Sequence, residues 1–192
     1  LSGTYQSALN AAKRVDEQNI QVIDGYSASA GLGLIVMKAA SLAKAGKSKE
    51  EIISLLPEII STSKVFLAVK DLQYVVKGGR LPAWVKSIAD FLHIRPVLST
   101  KENGEMGAAG ILMGTEYLPE KLCKFVLSKM EKDTQYTISV GHSNALEEGK
   151  KLMELIQQGH NHIENIYLQD MGCALGVHAG PGSLVTAIQP IH

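Results

Sequence analysis

Near the start of the chain, Ala8, Ala11, Ala12 and Val15 recur at helical spacing and share one face of a helix predicted over residues 2–18. Ser2 or Thr4 opens that helix. Ile20-Gln-Val-Ile23 then reads as a short strand, and a long apolar helix is predicted from about Ala28, stopped by Gly46. Ser48-Lys-Glu-Glu51 matches a capping box for a helix over residues 49–61, since Ser and Glu at this spacing satisfy each other's free amides. Pro57 lies inside that helix and is expected to kink or interrupt it, because proline lacks the amide hydrogen and crowds the preceding turn. The strand–helix–helix order suits an open α/β layer.

From Val65 the pattern changes. Val65 to Val69 reads as a strand, and Asp71 caps a short helix ending at Gly78-Gly79. Another helix runs from Leu81-Pro82 through Leu92. Ile94–Thr100 and Met106–Met113 form a hairpin around Asn103-Gly104, a dipeptide suited to the tight turn. A helix over 116–132, a strand over Tyr136–Val140, a helix capped by Asn144 and running to Gln158, and a strand over Ile163–Leu168 come next. Leu184–Ile188 is the last strand. The expected fold is α/β in two closely packed lobes. Residues 1–63 are the remainder of a first lobe with an open parallel sheet, and residues 64–192 form a second with a mixed or antiparallel sheet and flanking helices.

At 192 residues, with 45% apolar and 20% charged positions, the chain can bury a substantial core. Formal net charge is zero, and no basic stripe interleaves with aromatics, which argues against a nucleic-acid partner. The most apolar stretch, Ala28 to Ala45, is broken by Gly31, Gly33, Lys38 and Lys44, so it reads as a buried helix and not a membrane insertion. Cys123 and Cys173 have no CxxC partner and read as free buried thiols in a reducing, cytoplasmic compartment. The chain opens on Leu-Ser-Gly-Thr, already inside a candidate functional turn, and a further upstream segment is expected.

Three constellations carry candidate chemistry. Ser2-Gly-Thr4 sits at a helix N-terminus, where free amides, the helix dipole and two hydroxyls suit an anion, although simple capping also explains them. Gly78-Gly79-Arg80 places one of only three arginines, against sixteen lysines, on a double-glycine turn. One of those glycines is accounted for by the helix end. His178-Ala-Gly180-Pro-Gly182 puts a histidine at the end of an apolar run read as a strand, just before a tight turn. A guanidinium, an imidazole and small hydroxyls together suit a carboxylate or phosphate. Weaker candidates are Gly31-Leu-Gly33, which lacks the third glycine of a dinucleotide loop, and Gly25-Tyr-Ser27-Ala-Ser29, which lacks the last glycine of a nucleophile elbow. His160-Asn-His162 reads as a solvated loop, and His142-Ser-Asn144 as a helix cap. No phosphate loop, metal cluster or cofactor signature is present.

Taken in order, Leu1-Ser-Gly-Thr-Tyr-Gln-Ser-Ala8, Ser27-Ala-Ser-Ala-Gly-Leu-Gly33, Asp71-Leu-Gln-Tyr74, Lys77-Gly-Gly-Arg80, Ile94-Arg-Pro-Val97 and His178-Ala-Gly-Pro-Gly182 resemble the collinear motifs of the DegV family. The resemblance implies a non-catalytic bacterial carrier that holds one long-chain fatty acid. It also implies that the carboxylate is presented to an ATP-dependent fatty acid kinase subunit, whose acyl phosphate feeds phospholipid synthesis. By the same resemblance Ser2 contacts the carboxylate with Thr4 beside it, while Arg80, His178 and Gly180 lie near the head group. Two departures stand out. The family's N-terminal segment, with a threonine that helps bind the carboxylate, has no counterpart here, and Asp24-Gly25 replaces the usual Asp-Ser.

A tail of roughly fourteen methylenes at about 0.8 kcal/mol each contributes on the order of 11 kcal/mol before association costs. One charged hydrogen bond contributes about 1.5–3 kcal/mol. An apolar tunnel is therefore expected to set affinity and the polar head site to set orientation. Residues 28–45 and 84–92 are candidate walls, though either stretch reads equally well as ordinary core. The competing expectation is an autonomous phosphoryl-transfer or acyl-hydrolase domain using His178 as base or nucleophile.

Overall fold

A computed structural model describes residues 3–101, 103–114 and 116–191. Three helices come first, α1 (Thr4–Val15), α2 (Ser29–Lys44) and α3 (Lys49–Thr62). Then follow β1 (Lys64–Ala68), α4 (Leu72–Lys77), α5 (Ala83–Phe91), and the hairpin of β2 (Ile94–Thr100) and β3 (Met106–Met113). The chain continues through α6 (Leu118–Leu127), β4 (Tyr136–His142), α7 (Leu146–Gly159), β5 (Ile163–Asp170), α8 (Cys173–Ala179) and β6 (Leu184–Pro190). All six strands join one mixed sheet in the order β3-β2-β1-β6-β4-β5. Only β4 and β5 pair in parallel; every other pairing is antiparallel.

Alternation along the strands divides the core in two. Phe66, Val140, Leu184 and Ile188 face α6 and α7, which bury Leu122, Val126, Leu152 and Ile156 against them. Val65, Leu67, Val185 and Ala187 face the other way, against Ala30 and Leu34 of α2, Leu72 and Val75 of α4, and Ala179 of α8. The result is a sheet between two helical layers.

Several elements depart from the sequence pattern, each for a physical reason. Ile20–Ile23 forms no strand; among the described residues no extended segment lies beside it to take its hydrogen bonds. Helix α3 continues through Pro57, which sits on its exposed side, and forgoes the one backbone hydrogen bond that proline cannot make. The capping box is as expected, with Glu51 N–H donating to Ser48 Oγ at 3.2 Å and Ser48 N–H to Glu51 at 2.8 Å. Asn144 does not cap α7. It adopts φ +46°, a left-handed conformation Asn tolerates, and α7 starts from Ala145 without a side-chain cap.

His160 is buried and not solvated. Its Nε2 lies 3.0 Å from the Glu131 carbonyl, and its Nδ1 accepts from the His162 amide at 3.2 Å. Of the two thiols, Cys123 is buried, which pushes its titration up, whereas Cys173 is exposed. Both are free. Among the described residues no helix is long and apolar enough to cross a membrane.

Leu122 is fully buried between α6 and the sheet, whereas Phe91 on α5 is 81% exposed. Leu122→Ala is expected to lower folding free energy by about 2–5 kcal/mol, and Phe91→Ala to stay within about 0.5 kcal/mol of the parent. Urea denaturation of both variants checks this; a large loss for Phe91→Ala would mean that α5 is packed by something other than its own chain.

Candidate functional site

Helix α4 is the frame of the site. Asp71 opens it by accepting the Gln73 amide at 2.8 Å. At the other end Gly79 takes φ +72°, its N–H donating to the Val76 carbonyl at 2.9 Å and the Arg80 N–H to that of Val75 at 3.0 Å. This paired-bond closure needs a left-handed residue after the helix, which glycine supplies without a steric penalty. The turn thus sets where Arg80 leaves the helix. The Arg80 guanidinium folds back, with Nη1 donating to the Gly78 carbonyl at 2.6 Å.

Helix α8 packs against α4, and the apolar run ending at His178 is this helix and not a strand. Packing on α4 sets the helix where the short apolar run suggested a strand. His178 lies in the last turn, with its ring directly on Gly78: a Cβ at Gly78 would stand 2.1 Å from His178 Nδ1. Two residues on, Gly180 has φ +76°, and a Cβ there would stand 2.3 Å from the Tyr74 ring. Real Cβ atoms do not approach this closely, so both positions admit no side chain while those rings stay in place. The structure therefore brings three sequence motifs into one contact set. Tyr74 covers Gly180, and Gly78 carries both Arg80 and His178.

Beyond Gly180 the turn is pinned by Gly182 N–H donating to the Ser143 carbonyl at 2.7 Å and by Ser183 Oγ donating to that of Ala179 at 2.7 Å. His178 Nδ1 is buried without a hydrogen-bond partner. Thr4 is exposed at the first turn of α1, after Gly3, and α1 makes no broad contact with another element. Ser2 lies outside the described residues. Gly31 is accounted for structurally: a Cβ there would stand 2.3 Å from Ser27 Oγ and 3.1 Å from Val65, so glycine lets α2 close on β1.

A polar cleft of about 860 Å³ opens on the other side of the Gly180–Gly182 turn, lined by Lys70, Asp71, Tyr74, Asp90, Arg95 and Glu148 among others. Asp90 holds Lys86 at 2.5 Å and Arg95 at 3.0 Å. The Lys86 hydrogen bond, above all, keeps its carboxyl below the usual carboxylate range, against the opposing effect of partial burial. The sequence reading missed this cluster, although Lys86 and Asp90 sit at the i,i+4 spacing that joins side chains on a helix.

Apolar space is distributed differently. A pocket of about 140 Å³ lies between α2, α3 and the end of β6, lined by Leu42, Leu55, Ile59 and Pro190 with Lys38 and Glu58. That volume suits a benzene-sized group and not a long chain. The two stretches read as tunnel walls instead present open apolar faces. In α5 and its C-cap, Trp84 (65% exposed), Ile88, Phe91 and Leu92 share one face, starting four residues after Arg80; in α2, Leu32, Val36 and Met37 are exposed while Ala30, Leu34 and Ile35 are buried. Among the described residues no group of three or more His, Cys, Asp or Glu side chains is arranged to hold a metal ion.

Comparison with known proteins places this geometry. A DegV domain-containing protein of Caldanaerobacter subterraneus is 32% identical over 184 residues, covering 94% of this chain and 64% of that protein. Two solved structures superpose closely. One is a DegV family protein from Thermus thermophilus described for its fatty acid binding, with TM-score 0.87 and 26% identity over 99% of this chain and 67% of that one. The other is DegV, a fatty acid binding protein from Bacillus subtilis, with TM-score 0.83 and 27% identity over 99% of this chain and 67% of that one. The chain spans less than two thirds of the length of the curated relatives it matches. The family model described as uncharacterised protein, DegV family, matches residues 1–190, and with that match the chain belongs to the DegV family.

Proposed function

We propose that this chain carries a single long-chain fatty acid and presents its carboxylate to an ATP-dependent fatty acid kinase subunit. The acyl phosphate so formed would feed bacterial phospholipid synthesis in the cytoplasm. Residues 1–63 act as part of one lobe and residues 64–192 as the other. The carboxylate is held near Arg80, His178 and Gly180, with the hydroxyls of Ser2 and Thr4 contributing from the start of the first helix. The acyl chain lies on the apolar faces of α5 and α2.

The observation that carries this reading is the convergence of Arg80 and His178 on Gly78, immediately before a helix with an uncovered apolar face. A cation and a ring donor stand at one end of an apolar strip, which matches an amphiphile with an anionic head. Helix α5 runs about 1.5 Å per residue, so Trp84 to Leu92 offers about 12 Å of apolar surface to the tail. The solved relatives described as binding fatty acids give independent support.

Three outcomes test the reading. Arg80→Ala and His178→Ala are expected to keep oleate bound, since tail burial dominates affinity, yet to lose at least tenfold in acyl-phosphate formation with the cognate kinase. Turnover must be measured on variants first shown to be folded and loaded; wild-type turnover in either removes that residue from the site. Phe91→Asp is expected to weaken oleate binding at least tenfold at unchanged thermal stability, by isothermal calorimetry and melting, and an unaltered affinity would take the tail off α5. Ser2→Ala is expected to cost about 1–3 kcal/mol of acyl affinity, the scale of one charged hydrogen bond. No change in calorimetry would leave Ser2 with a capping role alone.

A further inference from the structure

Gly78 touches both candidate head-group residues through different atoms. Its carbonyl accepts from Arg80 Nη1 at 2.6 Å, and its α-carbon faces the His178 ring so closely that a Cβ would stand 2.1 Å from Nδ1 and 3.1 Å from Cε1. The Gly78 α-hydrogen that occupies the Cβ direction is thus aimed at Nδ1. A proton on Nδ1 would point at that C–H with no acceptor in reach, because Nδ1 is buried and has no hydrogen-bond partner. A lone pair on Nδ1 instead meets a weak C–H donor. An unpaired buried N–H is costlier than an under-satisfied acceptor, so the surroundings assign the proton to Nε2.

We propose that Gly78 is a positioning residue that holds His178 as the Nε2–H tautomer and Arg80 by its guanidinium, so that both offer donors to one bound anion. That the anion is a fatty-acid carboxylate rests on the function proposed above; the positioning itself does not. The arrangement explains why the turn carries two glycines. Gly79 answers to its backbone angle, whereas Gly78 has an ordinary helical conformation and answers to the ring above it. Tyr74 closes over Gly180, two residues beyond the same histidine.

The test uses the full chain with ¹⁵N-labelled histidine and oleate labelled with ¹³C at the carboxyl. At neutral pH the His178 ring nitrogens should report the Nε2–H tautomer. Gly78→Ala should remove that signature, while Gly46→Ala, whose side chain enters open space at a positive φ that Gly78 does not share, should keep it. The carboxyl resonance of bound oleate should move in Gly78→Ala toward its position in His178→Ala, and the double variant should move no further. Because the clash is with the ring, His178→Ala should also restore at least half of the melting temperature lost in Gly78→Ala, which decides the matter even if the single variant is poorly folded. An Nδ1–H or doubly protonated ring in the wild type, unchanged ring signals in Gly78→Ala, or additive losses in the double variant would overturn the assignment. A wild-type protein with the expected tautomer and no oleate binding would instead strike the fatty-acid reading alone.

Discussion

The sheet depends on one strand arriving in its middle. On one side β6 pairs with β1, from Lys64↔Ile188 to Ala68↔Leu184, and on the other with β4, from Tyr136↔Pro190 to His142↔Leu184. Without it the β3-β2-β1 and β4-β5 groups share no hydrogen bond. Residues Leu184 to Gln189 are all buried, feeding both halves of the core. The last strand of the chain thus closes its longest loops, the entropic cost of which falls before the apolar reward is collected. Folding and site formation are coupled for the same reason. Helix α8 and the Gly180–Gly182 turn lead directly into β6, so the strand that completes the sheet also presses His178 onto Gly78.

The site is fitted by backbone more than by side-chain bonds. A side chain at Gly78 would meet the imidazole, and one at Gly180 would meet the Tyr74 ring. Hydrogen bonds between two long side chains lose rotamer entropy in holding one geometry, whereas a ring resting on a glycine inherits the rigidity of two packed helices. Across the turn, in the polar cleft, Lys86 and Arg95 pair with Asp90. Arg80 Nη1 donates to the Gly78 carbonyl, so backbone also helps to orient the guanidinium.

Much of this was legible in the chain, and the exceptions share a cause. Ser48 with Glu51, Asp71 ahead of α4 and Asn103-Gly104 between β2 and β3 are local signals answered by local hydrogen bonds, and each element formed where they placed it. Ile20–Ile23 has the right residues for a strand but depends on a neighbour, which spacing alone does not supply. Cys173 to Val177 is too short an apolar run to separate helix from strand, and packing on α4 decided for helix. Among the site residues, Arg80 and His178 were marked by their glycines. Tyr74 was not, because nothing in its own neighbourhood shows that it will meet Gly180. Long-range contacts of this kind become visible only once the sheet order is known.

Helix α5 has its amphipathicity reversed with respect to its own chain. Ala89 faces the core and Trp84, Ile88, Phe91 and Leu92 face outward. Folding of this chain alone gives no reason for that pattern, and an apolar face of this kind marks a surface that meets something else. Fully burying one large apolar side chain is worth about 1.5–3 kcal/mol, so covering four of them outweighs one charged hydrogen bond to a head group at about 1.5–3 kcal/mol. An amphiphile laid along α5 would be retained by its tail whichever way the head residues were arranged. On the function proposed above, the geometry at Gly78 would then serve placement of the carboxylate and not retention of the ligand. The structure shows that contrast directly, with an apolar strip exposed along α5 while Arg80 and His178 are set against Gly78 by close contact.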